Sequence, residues 1–228
     1  PGCQIESPDG RSVDFPALRR YPERCMKTWT TKSGYRIIRV LSHRSNVFLL
    51  AGVGRNTLID TSTRGNWGRL DARLKSLKIS RLDHLILTHS HYDHADNARR
   101  LKDHYGASVI IHRAEARYLE SGGMPVPGGT NVLTRFLVRT FGRFLALRNV
   151  EACPCDALVD SRYDLSPLGL NAYVLPTPGH SPGSMSVIVD NEIAIVGDAM
   201  FGVFGWSVLP PYVADLEQTV ESWGLLLN

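Results

Sequence analysis

Apolar residues along this chain fall into two blocks of short runs, and the period of the runs switches between strand-like and helix-like in a regular order. In the first block, residues 35–41, 46–51 and 57–59 alternate or are rich in β-branched side chains, and Gly52-Val53-Gly54-Arg55-Asn56 has the composition of a hairpin turn between the last two. No helix follows that turn, so it is not a phosphate loop. Residues 67–77 carry apolar positions at helical spacing; strand 84–87, helix 96–105, strand 108–112 and helix 114–119 follow in β-α-β-α order. The second block repeats the pattern with runs 170–175, 184–190 and 192–196, the last two forming a hairpin over Asp190-Asn191. A helix over 216–227 closes the chain, with Asp215 as its N-cap and Gln218 three residues on. Two β-rich blocks with helices outside predict an α/β protein built as a four-layer αββα sandwich. Residues 1–33 read as an irregular arm and 34–228 as one domain.

An insertion over 120–150 separates the blocks. Gly122-Gly123-Met124-Pro125-Val126-Pro127-Gly128-Gly129 reads as a joint, and an apolar, basic stretch follows with Arg135, Arg139 and Arg143 four residues apart on one helical face. Three readings stay open: a packed helix with a solvated basic side, a lid over an active site, or a helix lying on a membrane surface. Phe136, Phe141 and Phe144 suit any of them and, in a lid, would favour an apolar acyl or ring-bearing substrate.

Composition adds limits rather than a function. With 228 residues, 43% hydrophobic and 21% charged, the chain can bury one sizeable core and has neither a disordered nor a fibrous signature. A net charge of +4 allows an anionic substrate, but clusters of interleaved aromatic and basic residues are absent and nucleic acid is not indicated. No run approaches the roughly 20 apolar residues of a membrane span, and no signal peptide opens the chain, so the cytoplasm is the expected compartment. Because the chain begins with Pro1, a leader removed beforehand is the alternative. Cys153-Pro154-Cys155 lacks the spacing of a structural zinc site. Free thiols are expected, with a Cys3–Cys25 disulfide as the alternative in an oxidising compartment.

The chemistry concentrates in Thr88-His89-Ser90-His91-Tyr92-Asp93-His94, which follows the apolar run Leu85-Ile86-Leu87. Three imidazoles and a carboxylate at a strand end form a ligand set for zinc, iron, nickel or manganese; the plain alternative is a solvated His-rich loop. Ser90 reads as a spacer whose loss changes little, and Tyr92 as a packing residue, with an oxyanion donor as the alternative. Two more candidates each end a strand-like run. His180 sits in Thr177-Pro178-Gly179-His180-Ser181-Pro182-Gly183-Ser184, whose Pro and Gly residues fix a turn that aims the ring. Asp198 ends the apolar run from Glu192, where a carboxylate needs a cation or several donors. Asp60 at the tip of an earlier strand reads as a turn residue, with support of the metals from one step out as the alternative.

Taken in order, His-x-His-x-Asp-His, Pro-Gly-His-Ser-Pro-Gly-Ser and Gly-Asp resemble the metallo-β-lactamase fold superfamily, and most of all its glyoxalase II-like hydrolases, over about residues 35–228. The resemblance implies that His89, His91 and His180 hold a first divalent metal, that Asp93 and His94 hold a second, and that Asp198 bridges them. Asp93 and Asp198 are then the catalytic carboxylates. Two ions, zinc foremost with iron, manganese or nickel as alternatives, would activate a shared water against a thioester, lactone or β-lactam carbonyl of a small-molecule substrate. Lactonases resembling this chain carry a Tyr shortly after the bridging aspartate, and Phe201 here weakens that branch. Most members also have a further histidine beyond the bridging aspartate, whereas no His follows His180. The expectation is that the chain is truncated after Asn228 and its second site incomplete, since His43, His84, His104 and His112 do not stand in a ligand's place. Two other functions stay in view. One is a mononuclear iron dioxygenase using His89, His180 and Asp198; the other is a non-catalytic binding module.

Overall fold

The computed structural model describes residues 5–6, 12–13, 26–52, 55–126, 128–146, 150–202 and 207–227. Strands β1 (Ile5–Glu6) and β2 (Ser12–Val13) pair with each other. One sheet takes seven strands in chain order: β3 (Thr28–Thr30), β4 (Arg36–Ser42), β5 (Asn46–Gly52), β6 (Arg55–Ile59), β7 (His84–Ile86), β8 (Ser108–His112) and β9 (Ala157–Val159). It is antiparallel from β3 to β6 and parallel from β6 to β9. Parallel pairing requires long crossovers, which the helices α1 (Trp67–Ser76), α2 (Tyr92–Ala95), α3 (Ala98–Tyr105), α4 (Arg113–Ser121) and α5 (Val132–Ala146) supply. The second sheet, β10 (Tyr163–Asp164), β11 (Ala172–Pro176), β12 (Met185–Val189) and β13 (Ile193–Ile195), is antiparallel, and α6 (Leu216–Leu227) follows it.

Both faces of the large sheet are apolar, so successive residues of one strand serve two different cores. Ile37, Leu50, Ile59, Ile86, Ile110 and Val159 meet Val174, Met185, Val187 and Ile195 between the sheets. Their immediate neighbours Ile38, Leu49, Leu58, Leu85, Val109 and Ile111 pack outward with Leu70 and Leu74 of α1, Leu101 of α3 and Leu119 of α4. A register shift between Arg39 and Leu41 breaks the alternation in β4, which lets Val40 and Leu41 both join the outer core. Arg73 of α1 donates to the Val40 carbonyl at that bulge. The architecture is the expected αββα sandwich.

Element bounds differ from the sequence reading in a few places. The arm 1–33 is not irregular throughout, since Thr28–Thr30 forms the edge of the large sheet. The helix expected over 96–105 begins at Ala98, and a separate short helix, α2, precedes it inside the ligand loop. Asp96 turns back to accept from the Arg64 backbone at 2.7 Å and from its guanidinium at 3.1 Å, while Asn97 Nδ2 donates to the carbonyls of Thr61, Ser62 and Thr63. Asp190 and Asn191 both adopt left-handed φ, as a two-residue hairpin demands. Cys153 and Cys155 are free thiols, and burial raises both pKa values, to about 11 and about 12. Cys3, Cys25 and Asn228 lie outside the described residues.

Candidate metal centre

The titratable residues converge where β6, β7 and β13 end and β12 begins. Thr88 joins these elements: its backbone N–H and hydroxyl donate to Asp60 at the end of β6, and its carbonyl accepts from Met185 at the start of β12. Directly beyond Thr88, His89 and His91 turn inward and α2 delivers His94. His180 enters from the loop before β12. Its backbone is clamped on both sides, because the N–H groups of Ala214 and Asp215 donate to the carbonyls of His180 and Gly179. Asp215 then caps α6 through Gln218 N–H at 3.1 Å, as the sequence predicts. From α6, Ser222 donates to the Pro178 carbonyl and Trp223 Nε1 to that of Ala199, at 2.7 Å each, so one helix holds both the His180 loop and the Asp198 turn.

Three ring nitrogens meet at one point. His91 Nδ1 lies 3.0 Å from His89 Nε2 and 2.9 Å from His180 Nε2. The far nitrogen of His180 faces the Tyr212 carbonyl at 2.7 Å, which assigns the proton to Nδ1 and leaves Nε2 as a lone pair. His94 is held at both nitrogens, since its Nδ1 faces Asp60 Oδ2 at 2.8 Å and its Nε2 is turned to Asp198 Oδ1 at 3.2 Å. Donor atoms of His89, His91 and His180, and of His89, His94 and Asp198, fall into two groups within 4.8 Å of one another. The buried nitrogen His91 Nε2 makes no hydrogen bond, and His94 Nε2 has only the Asp198 carboxylate facing it. Lone pairs converging on one point, with an orphaned buried nitrogen and a buried carboxylate beside them, fit a cation.

The electrostatics agree with neutral ligands around a charged pair. Burial, with the neighbouring imidazoles, pushes His91 down to about 3 and His89 well below its ordinary value. Burial also lowers His180 despite the pull of Asp198. His94 is the exception: burial opposes its charge, but Asp198 and Asp60 outweigh it and hold the imidazole pKa well above the usual range. Asp198 is the counterpart, since His94, His180 and His91 overcome burial and hold its carboxyl far below the usual carboxylate range.

The structure brings His89, His91, His94, His180 and Asp198 together. Asp93 is in neither group; partly buried in the first turn of α2, it acts on His180 through charge. The other described histidines serve elsewhere. His43 is exposed between β4 and β5, His104 packs against Trp67 with the rings tilted by 59°, His112 caps α4 by accepting from Ala114 N–H, and His84 is buried on β7. Tyr92 packs on the outer core, with Arg44 donating to its hydroxyl at 2.9 Å. Two acidic residues carry more than the sequence suggested. Asp60 is no mere turn residue, since it accepts from Thr88 and orients His94. Glu115 is fully buried and accepts from Ser90 and Gly183. Ser90 is therefore more than a spacer.

The insertion reaches this centre through its first residues. Gly128 lies against Val213, where a Cβ would stand 2.1 Å from the Val213 carbonyl oxygen, and Thr130 bonds the Pro210 and Pro211 carbonyls. Beyond them α5 buries Thr134 and exposes Val132, Leu133 and Phe136. Among the described residues no helix is long and apolar enough to cross a membrane.

Known proteins resemble this chain in sequence and in fold. The chain is 29% identical to a probable metallo-hydrolase of Methanocaldococcus jannaschii, over 78% of this chain and 79% of that one. It is 28% identical to the hydroxyacylglutathione hydrolase GloC of Haemophilus influenzae, over 72% and 71%. Its fold superposes on BJP-1, a subclass B3 metallo-beta-lactamase of Bradyrhizobium japonicum, with a TM-score of 0.55 at 19% identity, covering 83% of this chain and 69% of that one. Against a Cronobacter sakazakii metallo-beta-lactamase with a HARLDQ motif the TM-score is 0.52 at 19% identity, and this chain, matched over 74% of its residues, spans only 62% of that protein. The sequence model of the metallo-beta-lactamase superfamily matches residues 43–227, and the chain belongs to that superfamily.

Proposed function

We propose that the chain is a divalent-metal-dependent hydrolase of ester-type carbonyl bonds, with thioesters as the first class of substrate. His89, His91 and His180 form the first site, His94 and Asp93 contribute to the second, and Asp198 stands between them. The observation that carries this reading is the pair of donor groups sharing His89, with ring lone pairs converging in one and the Asp198 carboxylate facing His94 and His180. Imidazole and carboxylate at this density suit zinc, with iron, manganese or nickel as alternatives. When bound, such ions supply Lewis acidity, which polarises a carbonyl and makes water a nucleophile near neutral pH.

The chain's own residues do the rest. Tyr212 holds the proton of His180 on Nδ1 and leaves Nε2 as the free donor, and Asp60 holds a proton on His94 Nδ1, so that a metal would have to displace only the Nε2 proton there. Burial keeps His89, His91 and His180 neutral at pH 7, so no proton competes for those lone pairs. Support for a thioester comes from the hydroxyacylglutathione hydrolase relative and from the apolar segment that carries Pro125 past His91. Phe201, three residues beyond Asp198, has no hydroxyl to offer a lactone oxyanion.

Metal analysis of the purified chain, followed by turnover on acyl-glutathione thioesters, lactones and β-lactams, tests the reading. Bound divalent metal and thioester cleavage that a chelator abolishes are the expected results. A single iron with oxygen uptake would make it a dioxygenase, and absence of both metal and turnover a binding module.

A further inference from the structure

Glu115 is a carboxylate with no solvent exposure that takes no part in either donor group. An ionised side chain so placed requires several donors. It has them, and their origin is the point. Oε2 accepts the Ser90 hydroxyl and, at 3.2 Å, the Ser90 backbone N–H; Oε1 accepts the Gly183 backbone N–H at 3.0 Å. Glu115 lies in the first turn of α4, where the helix dipole favours negative charge.

Each oxygen therefore serves a different loop. Ser90 is flanked directly by His89 and His91, so fixing its backbone and hydroxyl fixes the carriers of both rings. Gly183 lies three residues after His180, in the loop that brings the third ring to His91. Gly183 is also shaped for this contact: a Cβ there would stand 2.5 Å from Glu115 Cγ and 3.0 Å from His112 Nδ1. Inside the loop, Ser184 Oγ accepts from Ser181 N–H at 3.1 Å, which closes Ser181 to Ser184 into a turn that contains Gly183 and follows His180 directly.

We propose that Glu115 is a positioning residue that sets the spacing of the His89, His91 and His180 nitrogens by holding their two loops with one carboxylate. The proposal rests on the reading of those three as a metal site. It extends to the metal only through the loops, since Glu115 itself is not among the converging donors. Outer contacts of this kind are worth about 10- to 100-fold in metal affinity.

Glu115→Gln tests it, because the amide keeps the volume and one acceptor while turning a second donor against an N–H. In the metal-free protein, circular dichroism should report an intact fold. Zinc affinity at the first site should fall by about 10- to 100-fold, and the visible bands of the cobalt-substituted protein should change, because the three nitrogens no longer meet at one spacing. Ser90→Ala removes only the hydroxyl contact and should shift affinity and spectrum in the same direction by less. Wild-type zinc affinity and cobalt spectrum in Glu115→Gln, even with a lowered melting temperature, would overturn the proposal and leave Glu115 as a packing residue. Should Glu115→Gln not fold, an unchanged affinity and spectrum in folded Ser90→Ala overturns it as well. His91→Ala separates the two levels: if that variant keeps the metal, or the parent binds none, the metal reading itself has failed.

Discussion

Asp60 Oδ2 lies 2.8 Å from His94 Nδ1, with both side chains about 3% exposed, while Oδ1 of the same carboxylate accepts from Thr88 N–H at 2.8 Å. One residue thus fixes the proton on His94 and the entry of the chain into the ligand loop. Its backbone has a φ of 60°, which is uncommon outside glycine and persists here because Thr88, His94 and the Ile86 carbonyl all hydrogen-bond to the residue. Asp60→Asn separates the two roles, since Asn Oδ1 still accepts from Thr88 while the charge facing His94 is lost. Binding of metal at the His94 side should weaken by about 10- to 100-fold with a smaller effect on the fold. Titration calorimetry of the metal-free protein measures it, and unchanged affinity would reduce Asp60 to a turn residue.

Gly179 has a φ of 135°, and a Cβ on it would stand 2.3 Å from Thr219 Oγ1, 2.5 Å from Thr219 N and 2.6 Å from Thr219 Cα. Backbone of α6 cannot yield as a flexible side chain can. Gly179→Ala should cost about 2 kcal/mol or more in denaturant unfolding, from strain at an unsuitable φ and from displacing α6. Because His180 is the next residue, metal content should fall with it. Gly68→Ala, in the first turn of α1 with nothing within 4 Å of the added carbon, is the opposite case. There the loss of unfolded-state freedom should stabilise by about 0.4–1 kcal/mol.

Removing the metal should lower the melting temperature by an amount that mass action fixes. A ligand at 100 times its dissociation constant stabilises by about 2.7 kcal/mol, which for a chain of this size is on the order of 5–10 °C. Scanning calorimetry with and without a chelator reads the shift, and zinc returned in excess should restore it. Equal melting curves would mean that the His89, His91 and His180 group holds no ion in the folded chain.

How legible each part was depends on how many positions carried the signal. His89, His91 and His94 stand within six residues of one another at a strand end, and His180 sits in a turn defined by Pro and Gly, so their chemistry shows without coordinates. Strands such as β4 and β8 were legible because they run seven and five residues and carry β-branched apolar side chains on both faces. β9 and β10, three and two residues long, are too short to show any period, and they form only because neighbours pair with them. Asp60 and Glu115 were hidden for another reason: their partners lie 28 and 25 residues away on one side, and 34 and 68 on the other. A signal for Glu115 did exist. It shares the buried face of α4 with Ala116 and Leu119, and a carboxylate on the apolar side of a helix asks for donors from another element.

Asp198 offers the sharpest test of whether two ions cooperate. Its Oδ1 is 3.2 Å from His94 Nε2 and its Oδ2 is 3.6 Å from His180 Nε2, so each oxygen faces a histidine of a different site. A carboxylate held far below its usual pKa by those rings stays ionised at any working pH and is ready to span two cations. Asp198→Asn keeps the shape and one oxygen, removes the charge, and turns the other position into an N–H donor that cannot ligate. The variant should fold, retain metal at His89, His91 and His180, and lose the second ion. Its kcat should drop by about 100-fold or more, beyond what loss of an outer contact costs, while KM changes far less, because the missing interaction acts on the activated water rather than on substrate binding. Metal counting and steady-state kinetics on the same preparation decide the matter. Two ions and a near-normal kcat in the variant would make Asp198 a partner of His94 alone and would remove the bridge from the proposed centre.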